Sequence, residues 1–564
     1  MHRKFEQVGQ LTRRGFVRAA GLGALAMSGM WLVGCGGTSD SGESSGSSTS
    51  GEGGSGKTVN IAMSTPVESL DPVVAGDGTS MVVISNCNEG LFVTDVDGNP
   101  VNGLCESYEV TDDQLTYTFH LRDQKWSNGD SVTAQDFVYS WHRNALGDAN
   151  SALFQYQLEM AGFKNATAVI NGEMDVDELG AHATDDKTIV VELDHPVPFL
   201  FNLFAFTPFG PVQQAFREEK GDNFGLTKDD MLWNGPYTLT GYDTASNIVT
   251  LTKNPDYWDA ENVDIDVINL QVIADTQQAV MSYENGDVDY VKLTSDLVQQ
   301  YKDDPAFSST GGIFNYYLMV NTKESGLDSL NLRQAIAYAI NRPDICDNVL
   351  KDGSLPVYQM CMNGLWANEN GDDFAQSSPQ FFEYDPDKAK ELWAAAQQET
   401  DRREIKIVYD QEVDFCKSVA EYLQSTLQST LEGLTVNIES TPKKNRIQMQ
   451  ADHDYEITLH RWGPDYADAT AILAMYQSDD ASNYSQWNSP EFDELYDKAN
   501  STDAGDAAAR WDDLMQCNSI CTENAVCIPI FQEGLSKLTR PTLKGKTDHI
   551  TGIECYYKFC TLDA

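Results

Sequence analysis

The chain has 564 residues, with 38 Lys and Arg against 86 Asp and Glu, a formal charge of −48. An acidic excess this large argues against nucleic acid as a partner and against an electrostatic grip on anionic lipid. It suits a surface that must stay soluble, and it draws cationic groups in rather than repelling them.

The N-terminus reads as an address. Residues 12–18 are "TRRGFVR", followed by the apolar run "AAGLGALAMSGMWLV" and then Gly34-Cys35. That run is too short to span a bilayer, which takes about twenty residues. A basic segment, a short apolar segment and small residues before a cysteine describe an export signal over 1–34. The arginine pair resembles a twin-arginine signal, although ordinary export signals also carry such pairs. "LVGC" resembles a lipobox, which implies lipidation of Cys35 and a protein held at the extracytoplasmic face of the cell membrane.

Residues 36–56 hold eight Gly and eight Ser and no apolar side chain. They read, with Cys35 and Lys57, as a flexible tether (35–57) reaching roughly 25 Å. Cleavage before Cys35 leaves 33 basic and 85 acidic residues, a charge of −52. Ten cysteines remain, an even number in an exported body. Disulfides and buried thiols are both open readings, and spacing does not decide connectivity. There is no CxxC pair and no histidine pair at metal spacing, so neither metal nor cofactor is expected.

From Thr58 onward about 505 residues exceed one hydrophobic core, which predicts two or three lobes. Alternating segments such as "LTYTFHLR" (115–122) and "TIVVEL" (188–193) predict strands. Segments such as "LRQAIAYAI" (332–340) and "DPDKAKELWAAAQQ" (385–398) predict amphipathic helices. This mixture is α/β with mixed sheets. In "KWSNGDSVTAQDFVYSW", Asn128-Gly129 reads as a turn, Thr133 as a helix cap and Asp136 as its partner at the third helical position. In "KNPDYWD", Asn-Pro breaks a strand and Tyr257 and Trp258 are buried.

Blocks in the family's order carry a family likeness. They are 70–143, "NGPYTLTGYDTASNIVTLTKNPDYWD" (234–259), "LNLRQAIAYAINR" (330–342), "YDPDKAKELW" (384–393) and "WNSPEFDELYDKA" (487–499). Together they resemble the family 5 extracellular solute-binding proteins, the peptide-binding subunits of ABC importers. The resemblance implies a periplasmic-binding-protein-like two-lobe fold with an extra inserted subdomain and a ligand cleft between the lobes. It places the first lobe at 58–88, 209–312 and 533–564, the inserted subdomain at 89–208 and the second lobe at 313–532. It also implies a monomer without enzymatic activity, partnered by a peptide ligand and by membrane permease and ATPase subunits.

An extended peptide of any sequence presents backbone groups for strand-like pairing and an α-ammonium with pKa near 7.7–8.0. A fixed carboxylate suits that ammonium, and Asp465 matches the family's position for it. Trp462, Gly463 and Tyr466 are expected around it as apolar walls, with cation–π attraction. The same residues read bare as a β-turn with an Asp cap and core aromatics. Phe314, Asn315, Tyr316 and Tyr317 match the hinge-proximal strand, where alternation predicts that one of the two tyrosines faces the core. Phe154 falls near a cleft-facing aromatic of the subdomain, with a core position as the alternative.

The match departs from the family at the ligand's C-terminal carboxylate. Leu459 and Gln450 stand where basic groups can occur, with Lys443, Lys444, Arg446 and Arg461 as nearby substitutes. Another solute (a metal chelate, a sugar or a modified peptide) and a peptide-sensing role without transport remain open. No G-x-S-x-G or H-E-x-x-H motif points to a hydrolase.

Overall fold

The computed structural model describes residues 56–148, 154–243, 247–294, 296–480 and 482–563. The export signal, Cys35 and the tether lie outside them, apart from Gly56 and Lys57. Among the described residues no helix is long and apolar enough to cross a membrane.

One mixed sheet of eleven strands runs through the body. Its order is Thr435–Thr441, Glu404–Asp410, Ile457–Trp462, Phe307–Val320, Cys527–Thr539, Tyr290–Leu293, Thr58–Met63, Val267–Val272, Ile248–Lys253 and Tyr237–Asp243, with Leu355–Pro356 paired to Cys527–Thr539. Two long antiparallel strands, Phe307–Val320 and Cys527–Thr539, join the halves of this sheet. Their register runs from Phe307↔Leu538 to Gly311↔Gly534, breaks, and resumes at Asn315↔Gln532. At the break Gly312, Ile313 and Phe314 stand opposite Glu533 alone, a wide bulge of the kind that bends a strand pair.

The interior divides along the same line. On the Ile457–Trp462 side, Tyr316, Leu318 and Val320 enter a core formed with the helices Leu330–Tyr338, Pro386–Glu399 and Asp414–Thr430. Tyr317 and Met319 enter a second core on the opposite face, with Pro490–Ala499 and Ala507–Glu523. Helices on both faces explain why "YYLMV" is continuously apolar rather than alternating. Separate cores serve the Thr58–Met63 side.

Residues 91–209 build a further core around the antiparallel sheet Cys105–Val110, Thr116–Leu121, Thr188–Glu192 and Ala181–Asp185. The helix Ala134–Leu146 packs on it, started by the capping box read from the sequence: the Thr133 backbone N–H donates to Asp136 Oδ2 at 2.9 Å. Gly129 turns the chain before it at φ 93°, a value that favours glycine. Tyr257 is buried, and its hydroxyl donates to Glu89 Oε1 at 2.5 Å. All ten cysteines after Cys35 are buried thiols, with the sulfurs of Cys555 and Cys560 3.8 Å apart.

Candidate functional site

A cleft of about 810 Å³ lies where three parts of the chain meet. The hairpin at 94–100 and the helix end at 202–206 supply one wall, and the segments 363–376 and 465–467 supply another. The third comes from Ser308, Thr310, Gly311, Lys537 and the C-terminal segment 546–552.

The loop after Ile457–Trp462 is shaped by its second aspartate. Asp468 accepts from the Thr470 backbone N–H at 2.9 Å and from its hydroxyl at 2.6 Å. It also takes both guanidinium nitrogens of Arg510, at 2.7 and 2.8 Å, and both side chains are 3% exposed. The Trp462 indole N–H closes the loop on the Ala471 carbonyl at 3.0 Å. Gly463 lies against the Phe314 ring, where a Cβ would stand 3.0 Å from Cε1, so a side chain would push the ring aside. With Asp468 engaged inward, Asp465 is left to the cleft.

Asp465 is exposed, and among the described residues no donor or cation pairs with it. Nearby protein still removes enough water to push its pKa above the ordinary carboxylate value. Burial, and then the Asp465 charge, push the Tyr156 hydroxyl up. Tyr466 lines the cleft beside Asp465, and its hydroxyl is 3.1 Å from Thr470 Oγ1.

The other residues expected at the site stand behind it. Trp462 is half-buried on the core that contains Tyr317. Phe314 is half-buried under the Arg461 guanidinium at 4.4 Å. Asn315 is buried, its amide donating to the Met360 carbonyl at 2.7 Å. Tyr316 and Tyr317 are both buried, Tyr316 stacked on Phe531 at 4.6 Å and Tyr317 donating to Met475 Sδ at 3.4 Å. Alternation puts them on opposite faces as expected, but both faces are covered, so neither reaches the cleft. Phe154 is also buried, edge-on to Phe206 at 6.0 Å, and Phe206 is the one that lines the cleft.

Of the basic groups considered for a ligand carboxylate, Arg446 is buried and engaged by Asp410 at 2.6 Å, Gln450 at 2.5 Å and His460 at 2.7 Å. Arg461 donates to the Tyr316 hydroxyl at 3.1 Å. The cleft instead contains Lys537, Lys546 and His549, which the sequence did not single out. Lys537 and Lys546 (2.9 Å) hold Asp548 between them, and Tyr290 donates to it at 2.6 Å. Burial opposes ionisation of Asp548, but Lys546 and Lys537 hold its pKa well below the usual range. Trp366, also absent from the sequence reading, forms part of the 363–376 wall.

A family profile, bacterial extracellular solute-binding proteins, family 5 Middle, matches residues 99–484. The dipeptide-binding protein of Lactococcus lactis subsp. cremoris is 29% identical over 546 residues, covering 94% of this chain and 96% of that protein. OppA of Listeria monocytogenes bound to peptide is 30% identical, with a TM-score of 0.66 over 90% of this chain and 100% of that one. The periplasmic murein tripeptide binding protein MppA in its unliganded open form is 25% identical but superposes better, with a TM-score of 0.80 over 90% and 98% of the two chains. Of these two structures, the less similar sequence gives the higher TM-score. Matched across its fold and across most of its sequence, the chain belongs to the bacterial extracellular solute-binding proteins, family 5 Middle.

Proposed function

We propose that the chain is the lipid-anchored substrate-binding subunit of an ABC importer, taking short peptides between two closing lobes and delivering them to a membrane permease. The observation that carries this reading is Asp465, a carboxylate facing the cleft with no partner among the described residues. A ligand α-ammonium pairs with it, and closure then removes water and strengthens the pair. The relatives named for dipeptide binding and for bound peptide support the ligand class.

The lobes are those set out from the sequence: 58–88, 209–312 and 533–564; 89–208 as an inserted subdomain; and 313–532. The bulge of Gly312–Phe314 against Glu533 falls at two of these boundaries, which supports it as the hinge. Binding is a population shift, because a ligand bridging both lobes binds the closed form better. No covalent step takes part, and Cys35 provides the anchor.

Calorimetry with a free tripeptide and its N-acetylated form tests the reading. Acetylation is expected to weaken binding at least tenfold. Equal affinity for the two forms removes the ammonium from the account.

A further inference from the structure

Trp366 is set into the cleft wall with its back filled. Its indole is half-buried and packs on Phe374 at 5.3 Å and on Trp511 at 4.8 Å between centroids. The Arg510 guanidinium lies 5.4 Å from the ring centroid, and Arg510 is the residue that holds Asp468 and so the Asp465 loop. Trp366 is therefore tied to the same support as the ammonium-binding carboxylate. Its indole N–H has no hydrogen-bond partner among the described residues. Ile550, from the C-terminal segment, also lines the cleft and reaches onto the apolar cluster that Trp366 packs against.

We infer that Trp366 and Ile550 form a side-chain subsite beside Asp465 that selects an apolar or aromatic residue of the ligand. The inference rests on the peptide reading above. Asp465 and Asp373 both line this part of the cleft and disfavour an acidic side chain by like-charge repulsion. Arg510 already occupies the ring's electron-rich surroundings, which disfavours a basic one. An aromatic ring gains area and an edge or offset contact with the indole, and the free N–H is placed to donate to a ligand carbonyl.

The test compares trialanine with Phe-Ala-Ala, Ala-Phe-Ala and Ala-Ala-Phe by calorimetry, for the wild type and for Trp366→Ala, Trp366→Leu and Trp366→Phe. The wild type is expected to bind at least one phenylalanine peptide tenfold or more tighter than trialanine. Trp366→Ala and Trp366→Leu are expected to reduce that ratio below threefold, and Trp366→Phe to keep most of it. Leu and Phe keep apolar bulk on Phe374 and Trp511, so they carry the test if the alanine variant fails to fold. A wild-type ratio near one overturns the inference, as does an equal loss for every peptide or an unchanged ratio in Trp366→Leu. If none of the four peptides binds the wild type, the peptide reading itself falls, and this inference with it.

Discussion

Tyr466 stacks on Phe199 with ring centroids 4.0 Å apart and planes 17° from parallel. Tyr466 follows the cleft carboxylate directly in sequence, whereas Phe199 belongs to the apolar core of residues 91–209. The stack thus holds the Asp465 loop against that core. An aromatic pair of this kind contributes about 0.5–1.5 kcal/mol beyond its buried area. Phe199→Ala is expected to weaken peptide binding about three- to tenfold in calorimetry while lowering Tm by only a few degrees. Unchanged affinity would mean that the loop holds its place without the stack.

Asp465 sets the acid side of the binding profile. Asp465→Asn is expected to weaken binding at least tenfold with little change in Tm. In the wild type, affinity falls as Asp465 is protonated. Desolvation raises its pKa, so this fall comes at higher pH than for an ordinary carboxylate. On the alkaline side affinity falls as the ligand's α-ammonium loses its proton, near pH 8. Calorimetry from pH 4 to 9 checks both limbs, and the acid limb disappears in Asp465→Asn.

Asp468 and Arg510 form the buried pair under the same loop. Removing one member of a buried pair strands the other charge, at about 3–5 kcal/mol. Asp468→Ala is expected to lower stability by that order in denaturant titration and to weaken peptide binding as the loop relaxes. Asp465→Asn lacks the first effect, which separates the supporting acid from the binding one.

Glu533 stands opposite the bulge between the two long strands, and burial raises its pKa to about 7, with Arg461 pulling the other way. The folded state therefore binds the proton more tightly than the unfolded chain, whose glutamate titrates near 4.3. The stability associated with this proton is present below about pH 4 and is lost as pH rises through about 7. Its size is at most about 4 kcal/mol, and less for the residual contact with solvent. Glu533→Gln is expected to match the wild type near pH 4 and to exceed its Tm near pH 8. Parallel Tm curves for the two proteins across that range would refute the assignment.

Cys35 lies outside the described residues, and its role is read from the lipobox alone. Cys35→Ser is expected to move the protein from the membrane fraction to the medium or soluble fraction, checked by fractionation and immunoblot. Retention on membranes would exclude the anchor.

Much of the local structure was legible in the chain. The Thr133–Asp136 capping box, the helix Pro386–Glu399 and the strands Thr116–Leu121 and Thr188–Glu192 are set by neighbours a few residues away. The ordered blocks were enough to identify the family, and they singled out Asp465, which lines the cleft, as the expected ammonium partner. Tyr316, Tyr317 and Phe154 are aromatic wherever they point, and their types did not say that both faces of the sheet would be covered. Likewise a basic residue is basic whether or not it is engaged, and only the fold buries Arg446 against Asp410.

The sequence by itself determined the family, the elements and a loop carrying two aspartates in "WGPDYADAT". The tertiary structure decided that Asp468 turns inward to Arg510, 42 residues away, and that Asp465 is left facing the cleft. It also brought Trp366, Lys537 and the segment 546–552 from distant stretches to the same walls. The physical reason is range: propensity and capping act within one turn of a helix or one strand pair. Whether a charge meets a partner or water depends on which distant segment the fold places against it.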